Sequence, residues 1–332
     1  MKKALVIGID DYPPPSRLDG CVNDAIAVSA ALEKNGDGSP NFDVKMLISS
    51  NEVVTSRKIN DAINDLFSGD AETAVFYFAG HGILDEQTSS GYLVTQDGDY
   101  PNWGISLAAL LNQANKAYPM IRSTVILLDS CQSGSAGEIP AIGDNGSVSH
   151  IGNGVTILTA CHREGFASET NGHGTFTNIL LDGLGGAASD VMGRVTPAAL
   201  YAHVDQTLGA WEQRPIYKAN VQSFISLREV SAKVPKDVLR RLSRYFPTPS
   251  HVFKLDPTFE PDRGEEAENL SDIPIDKDKV LIYRELQQCN RHGLIIPTEH
   301  DHMWHSAVYY GGCRLTATGA HYRRLAENNK IR

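Results

Sequence analysis

Apolar residues in the first two thirds of the chain come as short unbroken runs. LVIGID (residues 5–10), FDVKMLIS (42–49), AVFYFAG (74–80), TVILLDS (124–130) and GVTILTAC (154–161) each stop at small or polar residues. Runs of this length, rich in Val, Ile and Phe, predict strands buried on both faces. Between them the apolar positions recur at helical spacing. Ala25, Ile26, Ala30 and Leu32 predict a helix capped at Asn23 or Asp24 and ending near Gly36, and Ile59, Ile63 and Leu66 predict one capped at Thr55 or Ser56. ISLAALLNQANKA, Gly174 to Leu184 and Pro197 to Leu208 read as further helices. YLVT (92–95) reads as a short strand before the acidic turn DGD (97–99), and VQSFISL (221–227) as the closing strand. Strands alternating with helices predict an α/β domain on a mostly parallel sheet over residues 1–228.

The pattern changes after that. Residues 233–246 form a short basic amphipathic helix. Residues 256–276 hold eight acidic residues, one Arg and three Pro, so residues 229–276 read as an acidic, Pro-containing linker with a short helix. Residues 277–332 are a small module with nine Lys or Arg against five Asp or Glu, although the whole chain carries −10. Its order is helix, strand IIP, strand end, Thr/Gly turn, helix.

No apolar run approaches the roughly 20 residues that span a bilayer, which predicts no membrane partner. The N-terminal MKKALVIGIDDY reads as a first strand, not a signal peptide. Five scattered cysteines, an odd number, argue against a disulfide framework and for a reducing, cytoplasmic setting.

Two of the predicted strands end in turns that each carry one reactive side chain. AVFYFAGHG delivers His81, and TVILLDSCQSG delivers Cys131. In open parallel sheets, ligands bind at the carboxyl ends of the strands. A thiol attacks only as thiolate, at a free pKa of about 8.5, so it needs a base beside it. The small residues of GHG and SCQSG leave the backbone N–H groups of Gly82 and Cys131 free to face a developing oxyanion. Alone, a strand-end Cys is more often a small apolar residue and a strand-end His a structural one; the pairing weakens both alternatives.

Six ordered stretches, LVIGID, LDGCVNDA, FYFAGHG, LLDSCQSG, TACHREGFASE and GTFTNILLDGL, together resemble the caspase-like cysteine peptidases. Within that family they resemble the metacaspase and prokaryotic orthocaspase group. The resemblance covers residues 1–228. It implies the caspase–haemoglobinase fold, with a six-stranded sheet between helices. It also implies a His81–Cys131 catalytic dyad, an oxyanion hole from Gly82 and Cys131, and a protein or peptide substrate. Two acids line the metacaspase pocket for the residue before the scissile bond, and by motif they match Asp24 and Asp129. Two carboxylates there favour Arg or Lys and repel Asp. True caspases place arginines in that pocket, and GCVNDA, AGHG and LLDSCQ contain neither Arg nor Lys. The structural alternatives are a helix cap for Asp24 and a strand-end acid for Asp129. Ala79 departs from the Ser usual in metacaspases, which leaves Arg against Lys open.

Many metacaspases need calcium, and Asp97 and Asp99 offer the oxygen ligands it takes. A plain turn is the alternative that we favour, so no cofactor is expected. Residues 132–154 contain no Lys or Arg, so an enzyme specific for basic residues cannot cut itself there, and a single-chain active form is expected. Basic sites recur from Arg228 to Arg244, where self-cleavage would release the tail. LTATGAHYRRL resembles the closing segment of winged-helix domains. A regulatory protein partner for residues 277–332 is favoured over nucleic acid, because no strongly basic recognition helix is evident and Arg323 and Arg324 cannot fully share one helix face. His300, His302 and His305 meet no standard zinc spacing and read as solvated loop residues.

Overall fold

The computed structural model describes residues 1–85, 90–130, 151–160, 172–208 and 214–331, with the backbone of 138–140, 147–149 and 169–170. It divides into two units, residues 1–189 with 193–231, and residues 190–192 with 232–332.

The first unit runs β1 (Lys2–Gly8), α1 (Cys21–Glu33), β2 (Asp43–Ile48), α2 (Ser56–Phe67), β3 (Ala71–Ala79), β4 (Gly82–Asp85), β5 (Ser90–Asp99), β6 (Asn102–Ser106), α3 (Leu107–Ala117) and β7 (Ile121–Asp129). It continues with β8 (Glu138–Pro140), β9 (Ser147–Ser149), β10 (Val155–Thr159), β11 (Glu169–Thr170), β12 (His173–Gly174), α4 (Thr175–Asp182), β13 (Arg194–Val195), α5 (Pro197–Thr207), β14 (Ile216–Ala219) and β15 (Arg228–Glu229). The main sheet has six strands in the order β14-β10-β7-β3-β1-β2. All its pairings are parallel except that of β14 with β10.

Residues alternate between the two faces of each strand, so the sheet carries two cores. Phe76 and Phe78 of β3 and Ile126 and Leu128 of β7 pack with Ile59 and Ile63 of α2 and Leu110 of α3. Val75, Tyr77 and Ala79 of β3 and Val125 and Leu127 of β7 pack on the other face with Ala25 and Val28 of α1, Leu180 of α4 and Leu200 of α5. That double burial is why the strands read as unbroken apolar runs.

Three local expectations are corrected. The closing strand is Ile216–Ala219, not 221–227, where Val221 and Phe224 are exposed and only Ile225 and Leu227 reach the core. Helix α1 is not capped by Asn23 or Asp24: it begins at Cys21, and the Asp10 carboxylate accepts from the N–H groups of Cys21 (2.8 Å) and Val22 (3.3 Å). A carboxylate from the preceding loop satisfies the free N–H groups of the first turn and suits its positive end. The YLVT strand is longer than its apolar core, because β5 continues to Asp99 across a bulge and takes in the acidic turn.

The second unit comprises α6 (Lys236–Tyr245), β16 (Val252–Lys254), α7 (Lys277–Arg291), β17 (Ile295–Thr298), α8 (Met303–Val308), β18 (Gly312–Leu315) and α9 (Ala317–Glu327). Its antiparallel sheet has the order β16-β18-β17. The 256–276 segment is solvated only in part: most of 264–276 is exposed, but its start packs on this unit. Phe259 enters the core of this unit, and the buried Arg263 donates to the carbonyls of Pro257 and Leu270. Arg323 is likewise buried, bonding the carbonyls of Phe246 and Pro247 and the Glu327 carboxylate. Thr318 and Gly319 lie inside α9 rather than in a turn, since the Thr316 side chain caps the helix at Gly319. His302 precedes α8 and His305 lies within it, and no group of three potential metal ligands occurs among the described residues. Burial pushes the Cys289 and Cys313 thiols up to about 12, which leaves them protonated packing groups.

Candidate active site

Strands β3 and β7 are neighbours whose ends are in register, with Ala79 opposite Asp129. The Gly80 N–H donates to the Asp129 carbonyl at 3.3 Å. His81 follows β3 by two residues and Cys131 follows β7 by two. Cys131 itself lies outside the described residues, as does most of TACHREGFASE.

The His81 side chain is held from the β1–α1 loop. Its Nε2 lies 2.5 Å from the Ser16 carbonyl oxygen. A carbonyl only accepts, so Nε2 carries a proton, and the tautomer that can act as a base has its lone pair on Nδ1. The Tyr12 ring stacks at a tilt on the imidazole, with 4.6 Å between centroids. The Tyr12 hydroxyl accepts from the His81 backbone N–H (3.1 Å) and donates to the Val94 carbonyl (3.1 Å). Burial drives its acidity far below that of a free phenol, so it remains a neutral donor. Gly80 leaves room for this arrangement, because a Cβ there would lie 2.6 Å from the Tyr12 hydroxyl. Gly82 opens β4 immediately after His81.

Asp24 and Asp129 come together although 105 positions separate them in the chain. Both are buried, at 1% and 6% exposure. Asp24 lies in the first turn of α1, and its carboxylate accepts from the Gly174 N–H (2.9 Å) and from His173 Nδ1 (2.6 Å). Asp129 ends β7 on the α4 face, where one oxygen accepts from the Thr177 N–H (3.2 Å) and hydroxyl (2.6 Å). The Thr177 hydroxyl spends its only proton on that carboxylate, so the buried Tyr77 hydroxyl, 2.6 Å away, must donate to it. Gly174 stands between the two acids: a Cβ on it would lie 2.3 Å from an Asp129 oxygen and 3.1 Å from one of Asp24. Both acids therefore crowd the same glycine at the strand end. Burial raises the Asp24 pKa; the Gly174 and His173 hydrogen bonds oppose the shift and the nearby Asp10 charge adds to it. Burial and the charges of Asp129 and Asp24 likewise hold Tyr77 protonated.

The turn acids are otherwise employed. Asp97 accepts through one oxygen from the Ser56 N–H, the Ser56 hydroxyl and the Thr95 hydroxyl, and Asp99 accepts from the Tyr100 N–H. Burial raises the Asp97 pKa less than these hydrogen bonds lower it.

Sequence reasoning missed Ser16 and Tyr12, which flank the prolines at 13–15 and contribute a backbone carbonyl and a phenol that no spacing rule marks. It also missed His173. Gly174 and Thr177 were signalled, since both lie in the quoted GTFTNILLDGL stretch.

A profile of the caspase domain matches residues 1–225. Metacaspase-1A of Aspergillus oryzae is 30% identical over 156 residues, which are 42% of this chain and 36% of that protein. The match thus spans little more than a third of that relative. Two solved structures are similar at 15% identity and a TM-score of 0.47 each: a Geobacter sulfurreducens protein, covering 69% of this chain and 97% of its own, and caspase-1 from Spodoptera frugiperda, covering 69% and 90%.

Proposed function

This chain belongs to the caspase-domain family, and from that premise we propose that it is a cysteine endopeptidase cleaving protein substrates after Arg or Lys. The observation that carries the specificity is the convergence of two buried carboxylates, Asp24 and Asp129, around Gly174. A guanidinium or ammonium group entering there meets charge complementarity that Asp or Glu lacks.

In this reading Cys131 passes its proton to His81 Nδ1, the position that the Ser16 hydrogen bond leaves open. The thiolate attacks the scissile carbonyl carbon, and the N–H groups of Gly82 and Cys131 hold the oxyanion. Collapse breaks the C–N bond, and the departing amine takes the proton from His81. Water, deprotonated by the same imidazole, then cleaves the thioester and restores the thiol. The test is direct. Asp24→Asn and Asp129→Asn should each raise KM for Arg and Lys peptides while Cys131 still reacts with iodoacetamide at the wild-type rate. Unchanged KM in both would remove the pocket assignment.

The second unit serves in this reading as a regulatory or partner-binding module of winged-helix type. Its three-stranded antiparallel sheet with α7, α8 and α9 supports that reading. Internal use of Arg323 favours a protein partner over nucleic acid. The absence of Lys and Arg from residues 132–154 supports a single-chain active enzyme, and mass spectrometry of the mature protein would expose a cut there.

A further inference from the structure

A cleft of about 530 Å³ opens beside His81 and Gly82. Its walls are Tyr12, Pro13 and Pro14 from the β1–α1 loop and Ile83, Val94 and Trp103 from the β4–β5–β6 ladder. Among the described residues, no Asp, Glu, Lys or Arg lines it. The walls are tied together by two bonds, Tyr12 hydroxyl to the Val94 carbonyl and the Gln96 amide to the Asp11 carbonyl (2.8 Å). Gln96 is itself fixed by the Val54 N–H at 2.6 Å. A cleft braced in this way is formed before any ligand arrives, as binding sites usually are.

Its position relative to the two acids is the informative fact. Tyr12, Leu93 and Ile105 belong to the core on the α2 and α3 face of the sheet. Asp24 and Asp129 are bonded to residues of β12 and α4, on the face whose core holds Tyr77, Phe176 and Leu180. His81 lines the cleft and follows β3, whose last residue, Ala79, is in register with Asp129. The side chain before the scissile bond goes to the carboxylates. The residue after the bond carries the amine that His81 protonates, so it must lie against His81 on the far side.

We propose, building on the peptidase reading, that this cleft receives the side chain of the residue following the scissile bond and selects a bulky apolar or aromatic one. Trp103, Ile83 and Tyr12 offer it apolar surface, and the described lining holds no Asp, Glu, Lys or Arg to pair with an acidic or basic side chain.

The experiment uses the full-length protein. Internally quenched peptides with Arg followed by Phe, Leu, Gly, Glu or Lys are compared with a peptidyl-Arg methyl ester, whose methanol leaving group cannot fill the cleft. Wild type should prefer Phe over Gly by about tenfold or more in kcat/KM, the scale of discrimination an apolar pocket provides. Trp103→Ala and Ile83→Ala should each lose most of that preference yet hydrolyse the ester like wild type. Separately, the tripeptide Phe-Ala-Ala should bind Cys131→Ala more tightly than Gly-Ala-Ala by calorimetry, with the difference lost on adding Trp103→Ala. Equal cleavage and equal binding of the Phe and Gly probes would overturn the proposal. So would a Trp103 effect confined to the residue preceding the Arg. If wild type hydrolyses no Arg ester, the peptidase reading fails, and tripeptide binding still decides the cleft.

Discussion

Replacing Gly174 by Ala tests whether the two acids converge as described. The backbone there is ordinary, with φ −62° and ψ 134°, so Ala is conformationally allowed. On backbone entropy alone the change would stabilise by about 0.4–1 kcal/mol. The added methyl group, however, would lie 2.3 Å from an Asp129 oxygen, 3.0 Å from its Cγ and 3.1 Å from an Asp24 oxygen. Neither carboxylate is a loose surface group, since Asp129 is bonded to Thr177, and Asp24 to His173 and to Gly174 itself. Overpacking of this kind costs about 1–3 kcal/mol, so a net loss of roughly 1–2 kcal/mol is expected in urea melts. Displacing the acids by about 1 Å should also lower kcat/KM for Arg peptides by on the order of 100-fold. The iodoacetamide rate at Cys131 should hold, which separates a lost pocket from a lost fold. A Gly174→Ala protein that melts higher and cleaves Arg peptides normally would refute the geometry.

Other expectations follow from the same network. Thr177→Val removes the hydroxyl bond to a buried carboxylate and should cost about 1.5–3 kcal/mol, against about 1 kcal/mol for Tyr77→Phe, which leaves the Thr177–Asp129 bond in place; equal losses in urea melts would reverse the assigned donor order. Tyr12→Phe deletes two hydrogen bonds that hold the His81 backbone and Val94, and should lower kcat several-fold with KM little changed, each bond being worth about 0.5–1.5 kcal/mol. Asp24 has its folded pKa raised, so the folded state binds that proton more readily than the unfolded chain. Its contribution therefore falls as pH rises between the ordinary and the raised value, and Asp24→Asn should flatten that slope in stability measured against pH. Agmatine, an arginine-like cation, should bind Cys131→Ala better as pH rises through the same window, and added Asp24→Asn should abolish that dependence.

Much of the first unit was legible because its strands are buried on both faces. Continuous runs such as AVFYF and TVILL have few other uses, and the small residues after them mark where the sheet ends. The edge strand Ile216–Ala219 was not legible, since a half-exposed four-residue strand has no such run, while in 221–227 only Ile225 and Leu227 reach the core, outside the main sheet. The acidic segment 256–276 misled for a related reason. Composition counts eight acids as solvated, and most are, yet one phenylalanine and one internally bonded arginine anchor the start of the segment. At the site, Asp24 and Asp129 were marked by motif, but their partners were not. Ser16 acts through a backbone carbonyl, which every residue possesses, and His173 acts through a contact spanning 149 positions.

The most direct test of the central claim compares purified wild type and Cys131→Ala on fluorogenic peptides ending in Arg, Lys or Asp. Cleavage after Arg or Lys, absent in the variant, is the predicted result. Cleavage after Asp would keep the nucleophile and overturn the roles of Asp24 and Asp129, and equal cleavage by wild type and Cys131→Ala would contradict the dyad itself.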